Sequence, residues 1–134
     1  MKVLVDSTIW SLAIRRRKTT PSPHLLAFNE LVRETRVVLI GPIRQEVLSG
    51  IRNPSQFRKL QSVLRAWNDL PLDTQDFEHA AEHFNSCRTK GIQGTHTDFL
   101  ICAVAERHNL AILTTDKDFS SYAAVLPIKL LLPT

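Results

Sequence analysis

Two short aliphatic runs that each lead to an aspartate constrain this chain more than any other feature. "KVLV" (2–5) runs into Asp6, and "AILT" (111–114) is followed by Thr115 and Asp116. Unbroken runs of three or four apolar residues read as strands buried on both faces, the habit of a parallel sheet. Stretches with helical spacing lie between them. "SPHLLAFNELVRE" (22–34) carries Leu25, Leu26, in part Phe28, Leu31 and Val32 near helical spacing, and "PIRQEVLSG" starts at Pro42, suited to a first helical position, and stops at Gly50. A helix is expected over about 54–67, and another from the cap Asp73, with Asp76 in its first turn, to Lys90 and Gly91. The helix that starts near Thr97 is apolar on every side in its middle, as suits one packed deep in a core. "VVLI" (37–40), "LPL" (70–72) and "IKLLL" (128–132) supply further strands. The order predicts an α/β fold: one domain over 1–134, with a parallel sheet of about five strands covered by helices on both faces.

A chain of 134 residues is long enough for a core without staples, and 43% hydrophobic against 22% charged residues excludes disorder as the default. Every apolar run is too short for a signal-peptide core or a membrane span, so a cytoplasmic protein with no membrane partner is expected. Cys87 and Cys102 stand far apart with no C-x-x-C pattern, which excludes a disulfide framework or zinc knuckle and leaves both as core residues. A formal charge of +4 favours a polyanionic partner. Arg15, Arg16, Arg17 and Lys18 form the one basic run, ahead of the turn-rich "TTPSP". It reads equally as a solvated loop or as a clamp for phosphates.

Four acids interrupt four separate apolar elements. Asp6 and Asp116 lie beyond the carboxyl ends of strands, the edge at which parallel sheets bind ligands. Asp98 opens the most apolar helix. Glu46 falls on one stripe with Ile43, Val47 and Gly50. Singly, each has a plain structural reading as a cap, a turn residue or a snorkelling surface group. Jointly they read as a site. Unit charges about 4 Å apart repel by roughly 4 kcal/mol at an effective dielectric of about 20. A divalent cation would remove that cost, and an all-oxygen set favours Mg²⁺ or Mn²⁺ over zinc. Such an acidic site inside a basic protein points to a nuclease.

The stretches "VLVDSTIW", "GPIRQEVLSG" and "GTHTDFLICAVAERHNLAILTTDKDF", with the short closing strand, resemble the PIN-domain ribonucleases, specifically the VapC-type toxins of toxin–antitoxin pairs. The resemblance covers nearly the whole chain. It maps the family's acidic quartet onto Asp6, Glu46, Asp98 and Asp116, with Thr8 and Thr114 as supporting hydroxyls and Asp118 as an auxiliary acid in a structural turn before Phe119. It implies a Mg²⁺- or Mn²⁺-dependent endoribonuclease that cuts cellular RNA, forms a homodimer and is neutralised by a cognate antitoxin, whose tail fills the acidic groove. Cys102-Ala103 stands where relatives often carry two alanines, and the loop containing residues 15–18 is variable among them. In the mechanism expected, Asp6, Asp98 and Asp116 hold the principal metal, while Glu46 binds a second ion or orients the attacking water.

Rival readings are few. His79-Ala80-Ala81-Glu82-His83 fits the H-x-x-E-H pattern of a zinc peptidase. Helical spacing, however, predicts that Phe77, Ala80, Ala81 and Phe84 are buried and that both histidines lie on the opposite, solvated face. A phospho-accepting receiver domain would need an acidic pair before the first strand-end acid and a lysine after a late strand, and neither is evident. A PIN-like RNA-binding module without catalysis conflicts with the full set of four acids. His96 lies close enough to Asp98 to contact RNA. Trp10 and Trp67 read as core or interface residues.

Overall fold

A computed structural model describes residues 1–14 and 22–133, so the basic run Arg15 to Lys18 lies outside the described residues. The described elements are β1 (Val3–Val5), α1 (Ser7–Ile14), α2 (Pro23–Arg33), β2 (Val37–Val38), α3 (Gly41–Ser49), α4 (Pro54–Leu64), α5 (Thr74–Thr89), α6 (His96–Arg107), β3 (Ala111–Leu113), α7 (Asp118–Ala123) and β4 (Lys129–Leu130). The strands pair in parallel in the order β2-β1-β3-β4. All residues of β1 and β3 are buried. Because successive side chains of a strand point to opposite faces, this requires both faces of the sheet's centre to be covered.

The order of the strands locates the functional edge. From β1 the chain crosses to β2 on one side of it, and from β2 it crosses back to β3 on the other. The crevice beyond the carboxyl ends of β1 and β3 is therefore the topological switch point, where open parallel sheets bind their ligands. Asp6 leaves β1 there, its N–H donating to the Leu113 carbonyl at 2.9 Å, and Thr114 leaves β3 beside it.

Among the described residues, four strands stand where about five are expected. The segment 70–72 is not one of them. Here the chain makes an isolated parallel bridge, Leu39 to Asp69, and the Leu70 N–H donates to the Leu39 carbonyl at 2.8 Å. Pro71 has no N–H with which to continue the ladder.

The core is continuous through Leu4, Ile9, Leu39, Ile43, Leu64, Phe99, Ile101, Ile112 and Phe119. Side chains of this size stabilise by roughly 1.5–3 kcal/mol each when fully buried. Residues 99–105 of α6 are all buried, as its pattern predicts. Trp10 is also a core residue: it meets Phe28 and Trp67 edge-on, and its indole N–H donates to the Val5 carbonyl at 3.2 Å. Both cysteines are free and buried, and burial holds the Cys102 thiol far above its usual range.

Helix α5 faces differently from the sequence reading. Phe77 is 54% exposed and Ala81 is exposed, whereas Asp76, His83 and Cys87 are buried. The inward polar groups are compensated across the α5–α6 interface. Arg107 donates to Asp76 at 2.5 Å and to Asp73 at 3.0 Å, and His83 meets Glu106. These partners remove the cost that would otherwise force the apolar side chains inward. Asp73 and Asp76 form a full capping box at the start of α5.

Candidate active site

The acids at the switch point are held by three kinds of local device. Asp98 is in the first turn of α6, whose N-cap Thr95 accepts the Asp98 N–H through its hydroxyl at 3.0 Å. The amino end of the helix favours negative charge at that position. Tyr122 of α7 donates its hydroxyl to Asp98 Oδ2 at 2.6 Å. Burial, and then that bond, raise the phenol's pKa far above its usual range, so Tyr122 remains a donor. Asp116 accepts the Asp118 N–H at 2.9 Å, and its own N–H donates to Thr114 Oγ1 at 3.0 Å.

Carboxylate oxygens of Asp98, Asp116 and Asp118 lie within 4.8 Å of one another. Asp118 opens the helix α7 rather than a mere turn, and that helix aims it into the cluster. Asp6 stands next to this trio. Its Oδ2 accepts from Thr114 at 2.7 Å and from Thr8 at 3.0 Å, and the two hydroxyls are 3.3 Å apart. Both threonines thus hold Asp6, and Thr114 ties it to the Asp116 backbone. Burial pushes the Asp6 carboxyl above the usual range, and the Glu46 charge adds to this. The bonds from Thr114, Thr8 and the Ser7 backbone work against it.

Glu46 lies on the outer side of Asp6. It is exposed, and its Oε1 accepts the Ser7 hydroxyl at 2.5 Å. Ile43 and Val47, on the same stripe of α3, are buried, so the helix presents Glu46 at the rim of the core. His96 is exposed and stacks on Phe84, with ring centroids 5.0 Å apart and planes 17° from parallel.

Sequence reading missed three residues. Ser7 is hidden between two more conspicuous neighbours. Tyr122 has a readable signal: Phe119, Tyr122 and Leu126 fall at helical spacing and are all buried. Gly94 leaves room for Tyr122, since a Cβ there would lie 2.2 Å from the phenol oxygen.

The donors fit a hard divalent cation: three carboxylates with mutually close oxygens, a fourth alongside, and neither histidine nor cysteine among them. Among the described residues, no helix is long and apolar enough to cross a membrane.

The sequence model of the family described as "PIN domain" matches residues 3–125. Ribonuclease VapC11 of Mycobacterium tuberculosis is 28% identical over 127 residues, covering 92% of each chain. A VapC ribonuclease of Mycobacterium bovis matches to the same extent. Among solved structures, FitAcB from Neisseria gonorrhoeae superposes with a TM-score of 0.77 at 22% identity, covering 98% of this chain and 97% of that one. DNA-bound VapBC from Salmonella typhimurium superposes with a TM-score of 0.78 at 17% identity, again over 98% and 97%.

Proposed function

We propose, since this chain belongs to the PIN-domain family, that it is a metal-dependent endoribonuclease, the toxin of a toxin–antitoxin pair. The observation that carries the reading is the convergence of Asp98, Asp116 and Asp118 beside the threonine-held Asp6 at the sheet's switch point. Similarity to ribonuclease VapC11 over 92% of the chain supports RNA as the substrate.

Asp6, Asp98 and Asp116 are the residues we assign to Mg²⁺ or Mn²⁺, with Asp118 alongside. These residues would hold the ion, which when bound would supply charge neutralisation at the phosphodiester and make water more acidic. The chain's own groups do the positioning. Thr8 and Thr114 fix the Asp6 carboxylate, and Tyr122 and the amino end of α6 fix Asp98. Glu46, held by Ser7, faces the Asp6 side and is placed to orient a water or take its proton. His96, exposed two residues before Asp98, and the run Arg15, Arg16, Arg17 and Lys18 are the candidates for RNA contact. Hydrolysis by water breaks the P–O3′ bond, leaving a 5′-phosphate on one fragment and a 3′-hydroxyl on the other.

The whole span 1–134 is taken as one domain acting in the cytoplasm as a homodimer. The cognate antitoxin would place a basic side chain among the carboxylates, replacing the cation by charge-assisted hydrogen bonds. The relatives solved as VapBC and FitAcB support such a partner.

The test is cleavage of a generic RNA by protein stripped of cations. Activity should appear on adding Mg²⁺ or Mn²⁺ and vanish with a chelator. Asp6→Asn and Asp98→Asn should each lower it by at least about 100-fold, the scale of losing one preorganised electrostatic group, with unchanged circular dichroism. Full activity in either variant would refute the assignment, and RNA binding without cleavage would leave only a binding module.

A further inference from the structure

A second convergence of metal-ligating atoms lies away from the acidic edge, between α5 and α6. His79 and His83 stand one helical turn apart, and their Nε2 atoms lie 2.6 and 2.7 Å from the same oxygen, Oε2 of Glu106. The two rings are 4.2 Å apart between centroids. One ligand atom from each of the three residues lies within 4.8 Å of the other two. Hydrogen bonds from the two histidines outweigh the effect of burial and hold the Glu106 carboxyl below its usual range.

We propose that His79, His83 and Glu106 bind one divalent transition-metal ion of the zinc class. Both Nε2 atoms and a Glu106 oxygen would be the ligands, with a fourth position open to water. Two imidazoles and one carboxylate form a borderline donor set, which selects Zn²⁺, Ni²⁺ or Cu²⁺ over the hard cations suited to the acidic edge. Ligation at usual bond lengths sets nitrogen and oxygen roughly 3.4 Å apart, so Glu106 must retreat by less than about 1 Å. Room for this exists, because His79 and Glu106 line an open depression of about 400 Å³ with Gln75, Glu78, Glu82 and Arg107.

The surroundings suit an ion. Nδ1 of His79 is 3.5 Å from Glu82 Oε1, so a carboxylate stands ready to keep the ring's remaining proton on the far nitrogen. Glu82, the residue that the peptidase pattern would use as a base, stands at Nδ1 of His79, the nitrogen opposite the one that faces Glu106, and the three ligands join two helices, so the site is proposed as a staple between them. The one guanidinium lining the depression, Arg107, is neutralised by Asp73 and Asp76 and bonded to Gln75. The staple would fasten α5 to the helix that carries Asp98.

Protein made without a histidine tag and stripped with a chelator should be titrated with Zn²⁺ alone and with Co²⁺ alone. Wild type should bind one Zn²⁺ that survives Asp98→Asn, and the affinity should fall at least about 100-fold in His79→Gln and in Glu106→Gln. Co²⁺ should give the intense visible bands of a four-coordinate ion in wild type and Asp98→Asn, and lose them in the other two variants. Zn²⁺ should raise the melting temperature more where all three side chains are intact than in His79→Gln or Glu106→Gln. His79 and Glu106 are both half-buried, and each variant's fold is checked by circular dichroism. Unchanged affinity in both substituted proteins, loss of the ion in Asp98→Asn, or only weak octahedral cobalt bands in wild type would each overturn the proposal.

Discussion

Asp6 combines burial with a nearby negative charge, and its two threonine bonds do not fully offset them. Its folded-state pKa lies above the ordinary value of 3.8. The folded chain therefore holds that proton more tightly than the unfolded chain does. The stability it contributes is fully present below pH 3.8 and is lost as the pH rises through the folded value. Above that value, without a divalent cation, the ionised Asp6 is thus a destabilising group. Asp6→Asn keeps an acceptor for Thr8 and Thr114 but cannot ionise, so in thermal melts it should exceed wild type in stability at neutral pH. The difference should close as the pH falls below 3.8. Added Mg²⁺ should stabilise wild type more than the variant. Equal melting temperatures across the range would show that the carboxylate carries no such strain.

Asp98 owes its place to three elements at once: the N-cap of α6, the phenol from α7, and the segment that precedes α6. Gly94 is where that segment passes Tyr122, and an added Cβ would sit 2.2 Å from the phenol oxygen, 2.8 Å from Cζ and 3.0 Å from Phe99. Tyr122 and Phe99 are core residues and have little freedom to retreat. Gly94→Ala should therefore cost about 1–3 kcal/mol in denaturant unfolding. It should also lower RNA cleavage, because the Tyr122 bond to Asp98 is displaced. A variant with unchanged stability and unchanged cleavage would mean that the contact between this segment and α7 does not position the acid. Helix α5 teaches a related lesson. Its spacing admits more than one buried stripe, and the choice falls to the partners offered by α6, Glu106 and Arg107, rather than to hydropathy.

Charge is divided unevenly over the whole molecule. The net formal charge is +4, yet the switch point gathers Asp6, Asp98, Asp116 and Asp118. On the function proposed above, RNA would be attracted by the net positive charge and would need a cation to approach the acidic edge. For the Asp98→Asn protein, which the proposed site makes cleavage-deficient, RNA affinity should fall steeply with salt. The slope of log K against log salt should be about −2 if three phosphates are contacted, at roughly −0.7 for each. A salt-independent affinity would place recognition elsewhere than in the positive charge of the chain.

What the sequence determined by itself is local in origin. The short aliphatic runs set β1 and β3, and caps and glycines set the helix ends. The conflict between an acid and its apolar neighbours marked Asp6, Asp98 and Asp116, and the capping box of α5 was written in Asp73 and Asp76. Glu46 was marked by its stripe, although it ends exposed at the rim. What only the tertiary structure decided depends on groups distant in the chain meeting. The 70–72 segment fails as a strand because the neighbouring backbone offers one bridge and Pro71 offers no donor. Tyr122 joins the acidic edge because α7 folds back beside the start of α6. His83 turns inward because Glu106, 23 residues away, neutralises the cost of burying it. Hydropathy assigns each side chain a preference for water or core, but a polar group's preference reverses once a partner satisfies it, and only the folded chain supplies that partner.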